Sequence, residues 1–319
     1  MPRSIIRALI RGQPAARPLF LPVIFTLAAR LEDIPLPTFV RNPTKIANAL
    51  TAIHRRLKTD GMTGYFDLSL VAEALGCELD WNATPPAIIA PQRETLLTNI
   101  QLSPQELNNR GRIPVALEVI QRLTITLRNG PALLAALPGP LRLASQLFGQ
   151  DFVARLSHDK SEAVDIFEML TELLHHLAQA FCLVETHILL IDEEMVPDPL
   201  WEQWESAMVA SWNAMRFHGT LPVLRLRSAT HTRSIAGTPL ICLVPPFDDP
   251  SPVPQQPFAV ALPATQAPLK DCTRWTTAKS CVLVMTDGEI PYSSEIHDLQ
   301  HTITALRSTL IQRPGSSTI

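Results

Sequence analysis

The stretch HILLIDEEMVPDPLWEQWESAMVASWNAMRFHGTLPVLRLR, residues 187–227, holds a short apolar run, a long amphipathic segment and a second short apolar run. That succession predicts a strand, a helix and a parallel strand, because two parallel strands need a long crossover between them. In the middle segment Trp201, Trp204 and Trp212 fall on one helical face. Both apolar runs are continuous rather than alternating, as expected of strands covered on both sides.

The same unit recurs in both directions along the chain. Strand candidates are LFLPVIF (19–25), MTGYFDL (62–68), PALLAALP (131–138), HILLID (187–192), PVLRLR (222–227), TPLICLV (238–244), PFAVALP (257–263) and CVLVMTD (281–287). Helical patterns cover 112–128, 161–185, 200–217 and 293–311, with Ser161 as an N-cap candidate. Strands alternating with helices over 319 residues predict an α/β protein, a single (β/α)8 TIM barrel spanning 1–319. The proline-rich stretch 245–257 follows a strand and reads as a loop at the barrel mouth, either a lid or a plain spacer. Residues 312–319 read as a frayed tail.

Composition narrows the function classes. Hydrophobic residues make up 46% of the chain and charged residues 18%, so disorder is excluded. With 27 basic against 30 acidic side chains and no basic block, nucleic acid is not an expected partner. Five scattered cysteines without a CxxC pair suit a reducing cytoplasm. The arginine-rich start followed by LFLPVIFTLAA (19–29) raises the alternative of a targeting peptide. Pro22, the shortness of the run and the lack of a cleavage site favour a buried strand, and no membrane association is expected.

Four segments in order carry a resemblance: FDLSLVAEALGCELDW (66–81), RGRIPVALEVIQRL (110–123), LPGPLRLASQLFG (137–149) and GEIPYSSEIHDLQHTITALR (288–307). Together they resemble the uroporphyrinogen decarboxylase superfamily, closest to its cobamide-dependent methyltransferase branch. The resemblance implies a cytoplasmic TIM barrel that transfers a methyl group between a corrinoid, presented by a partner protein, and a small molecule. It leaves two other functions open: a non-catalytic homologue that pairs with an active paralogue, or a tetrapyrrole decarboxylase. A homodimer and a heterodimer with a related barrel are both compatible with it.

The resemblance also nominates residues. Asp67 precedes Gly76 by the spacing of the decarboxylases' catalytic aspartate, and at a strand's end it would face the mouth. Its other reading is a cap beside Ser69. Arg30 resembles the second of two propionate-binding arginines, the first falling at Thr26; a plain surface arginine is the alternative. The zinc-dependent members hold their metal with a His-x-Cys pair on strand five and a cysteine after strand eight. Here those positions read Arg225, Arg227 and Gly288, so no zinc is expected and no cofactor is expected to be tightly bound. The decarboxylases' histidine before that glycine reads Asp287.

Arg225 and Arg227, two apart on a strand, should point the same way, into the mouth rather than against the helices. They would either bind an anionic substrate group or pair with Asp192, Asp287 and Glu289 in a structural cluster. Asp192, at the end of its strand, is a substrate-contact candidate, whereas Glu193 and Glu194 are expected to be solvated. HDLQH (297–301) lacks the glutamate of a zincin helix and falls on the outer ring. His175 and His176 are expected at an interface or in solvent. No GxGxxG, P-loop or GxSxG occurs.

Overall fold

The computed structural model describes residues 2–15, 17–82, 85–128, 130–158, 161–193, 195–226, 240–243, 255–264 and 276–311. The eight apolar runs become strands, joined by a two-stranded ribbon that the sequence reading did not anticipate. They are β1 (Leu19–Leu21), β2 (Gly61–Tyr65), β3 (Glu78–Asp80), β4 (Ala87–Ile89), β5 (Ala132–Pro138), β6 (Ile188–Glu193), β7 (Leu221–Leu226), β8 (Leu240–Leu243), β9 (Phe258–Leu262) and β10 (Cys281–Thr286). β3 and β4 form the antiparallel ribbon; the other eight form one parallel sheet in the order β1-β10-β9-β8-β7-β6-β5-β2.

β1 and β2 stand at the two ends of that order, and the barrel closes where they meet. Asp60, just before β2, makes the join. Its backbone N–H donates to Phe20 at 3.1 Å and its carbonyl accepts from Ala132 at 2.9 Å. Its carboxylate accepts the Phe20 N–H at 3.0 Å and a two-pronged bond from Arg17 at 2.6 and 2.7 Å. Bringing the two edge strands together in this way is how a barrel covers its edges.

β1 is shorter than the apolar run suggests. Pro22 has no N–H to give the ladder, so pairing stops at Leu21. The chain beyond it is instead tied by side chains and turns: Val23 donates to Thr286 Oγ1 at 3.0 Å and Ile24 to Thr63 Oγ1 at 3.1 Å.

Helices cover the outside, including Pro43–Leu57, Ile113–Thr126, Ser161–Leu183, Trp201–Phe217 and Ile296–Ile311. Trp201, Trp204 and Trp212 share the buried face, with successive ring centroids 5.7 and 6.5 Å apart. His175 bridges outward from its helix to Ser211 at 3.3 Å, an interface position. His297 and His301 lie on the terminal outer helix, as expected.

An N-terminal helix, Pro2–Ile10, was not read from the sequence. Arg3 explains its place: its guanidinium donates to the carbonyls of Leu127 and Arg128, each at 2.7 Å, and to Pro131 at 3.2 Å, just before β5. It thereby satisfies carbonyls left open after the helix Ile113–Thr126. No helix among the described residues is long and apolar enough to cross a membrane.

The closure sets a steric limit. A methyl group on Gly61 would meet Leu21 Cδ1 at 2.3 Å and the Ala132 carbonyl at 3.1 Å. Gly61→Ala should therefore cost about 1–3 kcal/mol of stability, read from urea unfolding. An unchanged midpoint would mean that the two edges are not packed this closely.

Candidate active site at the barrel mouth

A cavity of about 580 Å³ opens at the C-terminal ends of the strands, lined from β1–α, β2–α and β10–α connections and from the ribbon. Its polar wall includes Thr26, Asp67, Ser69, Arg142, Gln146, Arg225 and Glu289; its apolar wall includes Phe25, Phe66, Trp81, Ile88 and Tyr292. The size suits a small organic ligand.

Asp67 lies two residues beyond β2 and lines this cavity. It thus faces the mouth, as its position at the strand's end predicts, and it also contacts Ser69. Oδ1 accepts the Ser69 N–H at 2.9 Å and the Ser69 hydroxyl, while Oδ2 is ion-paired with Arg112. Arg112 is only 1% exposed, also pairs with Glu73, and lies under the Trp81 ring with 5.1 Å from Cζ to the centroid. Burial alone would lower the Arg112 pKa, but Tyr65, Asp67 and Glu73 outweigh that and raise it. The guanidinium is therefore permanently charged, and Asp67 is held in one orientation.

Asp192 and Arg225 are register partners on β6 and β7, so their side chains leave neighbouring strands on the same side. They form an ion pair in which each side chain is 0% exposed. Arg142, in the helix Pro140–Phe148, approaches the other carboxylate oxygen of Asp192 at 3.4 Å. One aspartate thus sits between two arginines, both of which line the cavity. The Arg225 guanidinium also faces the Phe66 ring at 5.9 Å. Its partner Arg227 in the expected pair lies outside the described residues, as do 245–254 of the proline-rich stretch, the tail 312–319 and Glu194.

Three expectations need correction. Glu193 is not solvated but fully buried. It accepts the N–H groups of Leu141 (3.1 Å) and Arg142 (2.6 Å), capping their helix, and the Trp204 indole N–H at 3.1 Å. Gly139 makes room for it, since a Cβ there would stand 2.3 Å from Oε2. Arg30 does not face the cavity: it turns to the Ser294 carbonyl and to Glu295, 3.3 Å away. Asp287 holds the Ala264 N–H at 2.8 Å, bracing the turn after β9 rather than lining the cavity.

Glu289 does line it. Its Oε1 accepts the N–H groups of Phe25 (3.1 Å) and Thr26. Burial pushes its carboxyl up to about 7, and the Asp67 charge adds to the shift. Glu193 is likewise raised by burial to about 7, against the opposing pull of its three donors.

Arg112 and Arg142 were missed by the sequence reading. Both stand at helix starts, in RGRIP and GPLRL, where an arginine reads as surface.

With this geometry in view, the comparisons are direct. The family profile described as uroporphyrinogen decarboxylase (URO-D) matches residues 1–202. The chain belongs to the uroporphyrinogen decarboxylase family. Its TIM-barrel fold is that of the family. Among curated proteins, the methylated-thiol–coenzyme M methyltransferase of Methanosarcina mazei is 32% identical over 108 residues, 32% of this chain. That match spans 28% of the relative's length. Among solved structures, a methyltransferase from Methanosarcina mazei superposes with a TM-score of 0.74 at 16% identity, covering 96% of this chain and 98% of the other. The curated relative is consistent with the methyltransferase branch of the resemblance, and the solved structure with the fold.

Two outcomes test the site's electrostatics. Arg112→Met leaves two carboxylates without their buried partner and should cost about 3–5 kcal/mol in denaturant unfolding. A loss below about 1 kcal/mol would show that the pair is solvated. Glu193 has a folded pKa raised above its unfolded value, so its favourable share is full at low pH and is lost as pH rises through about 7. In thermal melts, Glu193→Gln should therefore lose less stability than the parent protein on going from acidic to mildly alkaline pH. An identical slope would place the titration elsewhere.

Proposed function

We propose that this chain is a methyltransferase-like enzyme that acts on a small acid or ether at the barrel mouth without a zinc-thiolate centre. In this reading a corrinoid carried by a partner protein supplies or accepts the methyl group. The observation that supports it is the buried Arg225–Asp192 pair at the position where the zinc-dependent members have a metal ligand. A guanidinium cation there repels a metal ion, and Gly288, also on the cavity wall, offers no donor side chain. The residues present do not fit the family's zinc, so no step here runs through it.

The chain's own residues do simpler work. Arg225 and Arg142 bind an acid group by charge-assisted hydrogen bonds. Asp67, clamped by Arg112, presents a fixed carboxylate to the bound molecule. Glu289 can hold or release a proton at the cavity wall near neutral pH. Phe25, Phe66 and Trp81 line the apolar side of the cavity, and a ligand packed against them displaces water. A tetrapyrrole decarboxylase is the weaker reading, because Arg30 turns away from the cavity and Thr26 stands where the other arginine would be.

The test is methyl transfer with methylcobalamin as donor and a panel of small acids and alcohols as acceptors, followed by visible absorbance and mass spectrometry of the products. Transfer should proceed in the presence of a chelator, and protein expressed with added zinc should carry no stoichiometric metal. One tightly held zinc per chain would overturn the zinc-independent reading. Failure with every acceptor would favour the non-catalytic homologue.

A further inference from the structure

We propose that His297 and His301 form a surface site for one exchangeable divalent transition-metal ion of the zinc and copper type. The site lies on the outer ring of the barrel and does not depend on how the cavity at the mouth is read.

Spacing and packing put both rings in reach of an ion. Residues four apart on a helix stand one turn above each other on the same face. In the helix Ile296–Ile311 the packed face carries Leu299 and Ile303, which are 8% and 2% exposed. His297 and His301 therefore turn outward, and both are exposed. The glutamate that HDLQH lacks is the general base of a zincin rather than a ligand. Its absence removes a hydrolytic chemistry and leaves the two ligating positions intact.

The distances fit a shared ion. The two Nε2 atoms are 3.3 Å apart, with ring centroids separated by 4.5 Å. Zinc–nitrogen bonds of about 2.0–2.1 Å at a tetrahedral angle place two ligand nitrogens about 3.3–3.4 Å apart. Without metal, the same separation lets the Nε2–H of one ring donate to the other. Asp298 indicates which ring donates. Its carboxylate is 3.9 Å from His297 Nδ1, which favours the proton on that nitrogen and leaves His297 Nε2 with a free lone pair. A carboxylate behind the non-ligating nitrogen is the usual partner of a metal-binding histidine. His301 is then the donor, and on metal binding its proton moves from Nε2 to Nδ1 through solvent, so both rings stay neutral.

Charge sets the strength of the site. It sits in the first two turns of the helix, whose positive end disfavours a cation. Asp298 offsets this, and the helix sequence holds no lysine or arginine before Arg307. No set of three or more metal-ligating side chains occurs among the described residues, so water fills the remaining positions. Such an ion exchanges with solvent and yields to a chelator. It is thereby distinct from a tightly held zinc at the mouth. The helix also follows directly on the connection that brings Gly288, Glu289 and Tyr292 to the cavity wall, and an ion spanning His297 and His301 clamps its first turns.

Equilibrium dialysis of the chelator-stripped full chain tests the site, with Zn2+, Cu2+ and Mg2+ as probes and thermal melts alongside. One exchangeable Zn2+ per chain should bind, Cu2+ should bind more tightly, and Mg2+ should not compete. Zinc should raise the melting temperature, since an ion bound only by the folded chain stabilises it. His297→Gln and His301→Gln should each weaken zinc by at least roughly tenfold, the loss that even an outer partner of a ligating histidine can cause. Both should also remove the thermal shift while keeping the metal-free melting temperature, because the two side chains are exposed. The double substitution His175→Gln, His176→Gln should leave binding unchanged. A chain that binds no zinc, zinc bound equally by the parent and by His297→Gln, or binding lost with His175 and His176 would each overturn the proposal.

Discussion

A cation inside a protein must be matched, and the mouth of this barrel is organised around two that are. Arg112 and Arg225 are almost wholly removed from solvent. Desolvating a guanidinium is tolerable only when carboxylates replace the lost water. Arg112 therefore recruits Asp67 and Glu73, and Arg225 recruits Asp192. Each pair ties separate parts of the chain together: the first joins the end of β2 to the start of the helix Ile113–Thr126, and the second locks β6 to β7. The loops that line the cavity inherit their positions from these bonds.

Carboxylates do a second kind of work at the same level of the barrel. Glu193 accepts the first N–H groups of the helix Pro140–Phe148, and Glu289 accepts those of Phe25 and Thr26, where the helix Thr26–Leu31 starts. Both satisfy donors that a helix leaves open. Burial nevertheless raises both to about 7, so desolvation outweighs the hydrogen bonds in each case. Their surroundings separate their roles. Glu193 is enclosed by Trp204 and the helix it caps, whereas Glu289 borders the cavity, where a proton gained or lost can reach a bound molecule.

The strands were legible because parallel strands covered on both faces read as unbroken apolar runs, as in 187–192 and 281–287. Their bounds were less so, since Pro22 ends the ladder within an apolar run that continues to Phe25. The placement of Asp67 and of the Asp192–Arg225 pair also followed from position, because each lies at or near the C-terminal end of a strand. Glu193 could have been read correctly. Asp192 and Glu193 are successive on a strand, so one must face inward and the other the helices, and neither direction is solvent. The cluster of three acids in IDEEM obscured that alternation. Arg112 and Arg142 were harder, because their roles depend on partners 39–51 residues away in sequence. No local pattern records such pairings.

On the proposed zinc-independent reading, an arginine in place of a metal ligand changes what chemistry the mouth supports while keeping part of its electrostatics. A zinc ion and a guanidinium both place positive charge at the strand ends, and both attract an anionic group. The metal also bonds directly to sulfur and thereby stabilises a thiolate. A guanidinium cannot do this; it offers directional hydrogen bonds to oxygen, and its own charge is fixed. In a zinc-free transfer of the kind proposed, an acceptor becomes reactive by losing a proton to a nearby base, and a donor by gaining one from an acid. Asp67 is committed to Arg112 and Ser69, which leaves Glu289, with one carboxylate oxygen held by backbone donors, as the group on the cavity wall suited to that exchange. On that reading, holding the substrate and moving its proton fall to different residues on the same wall.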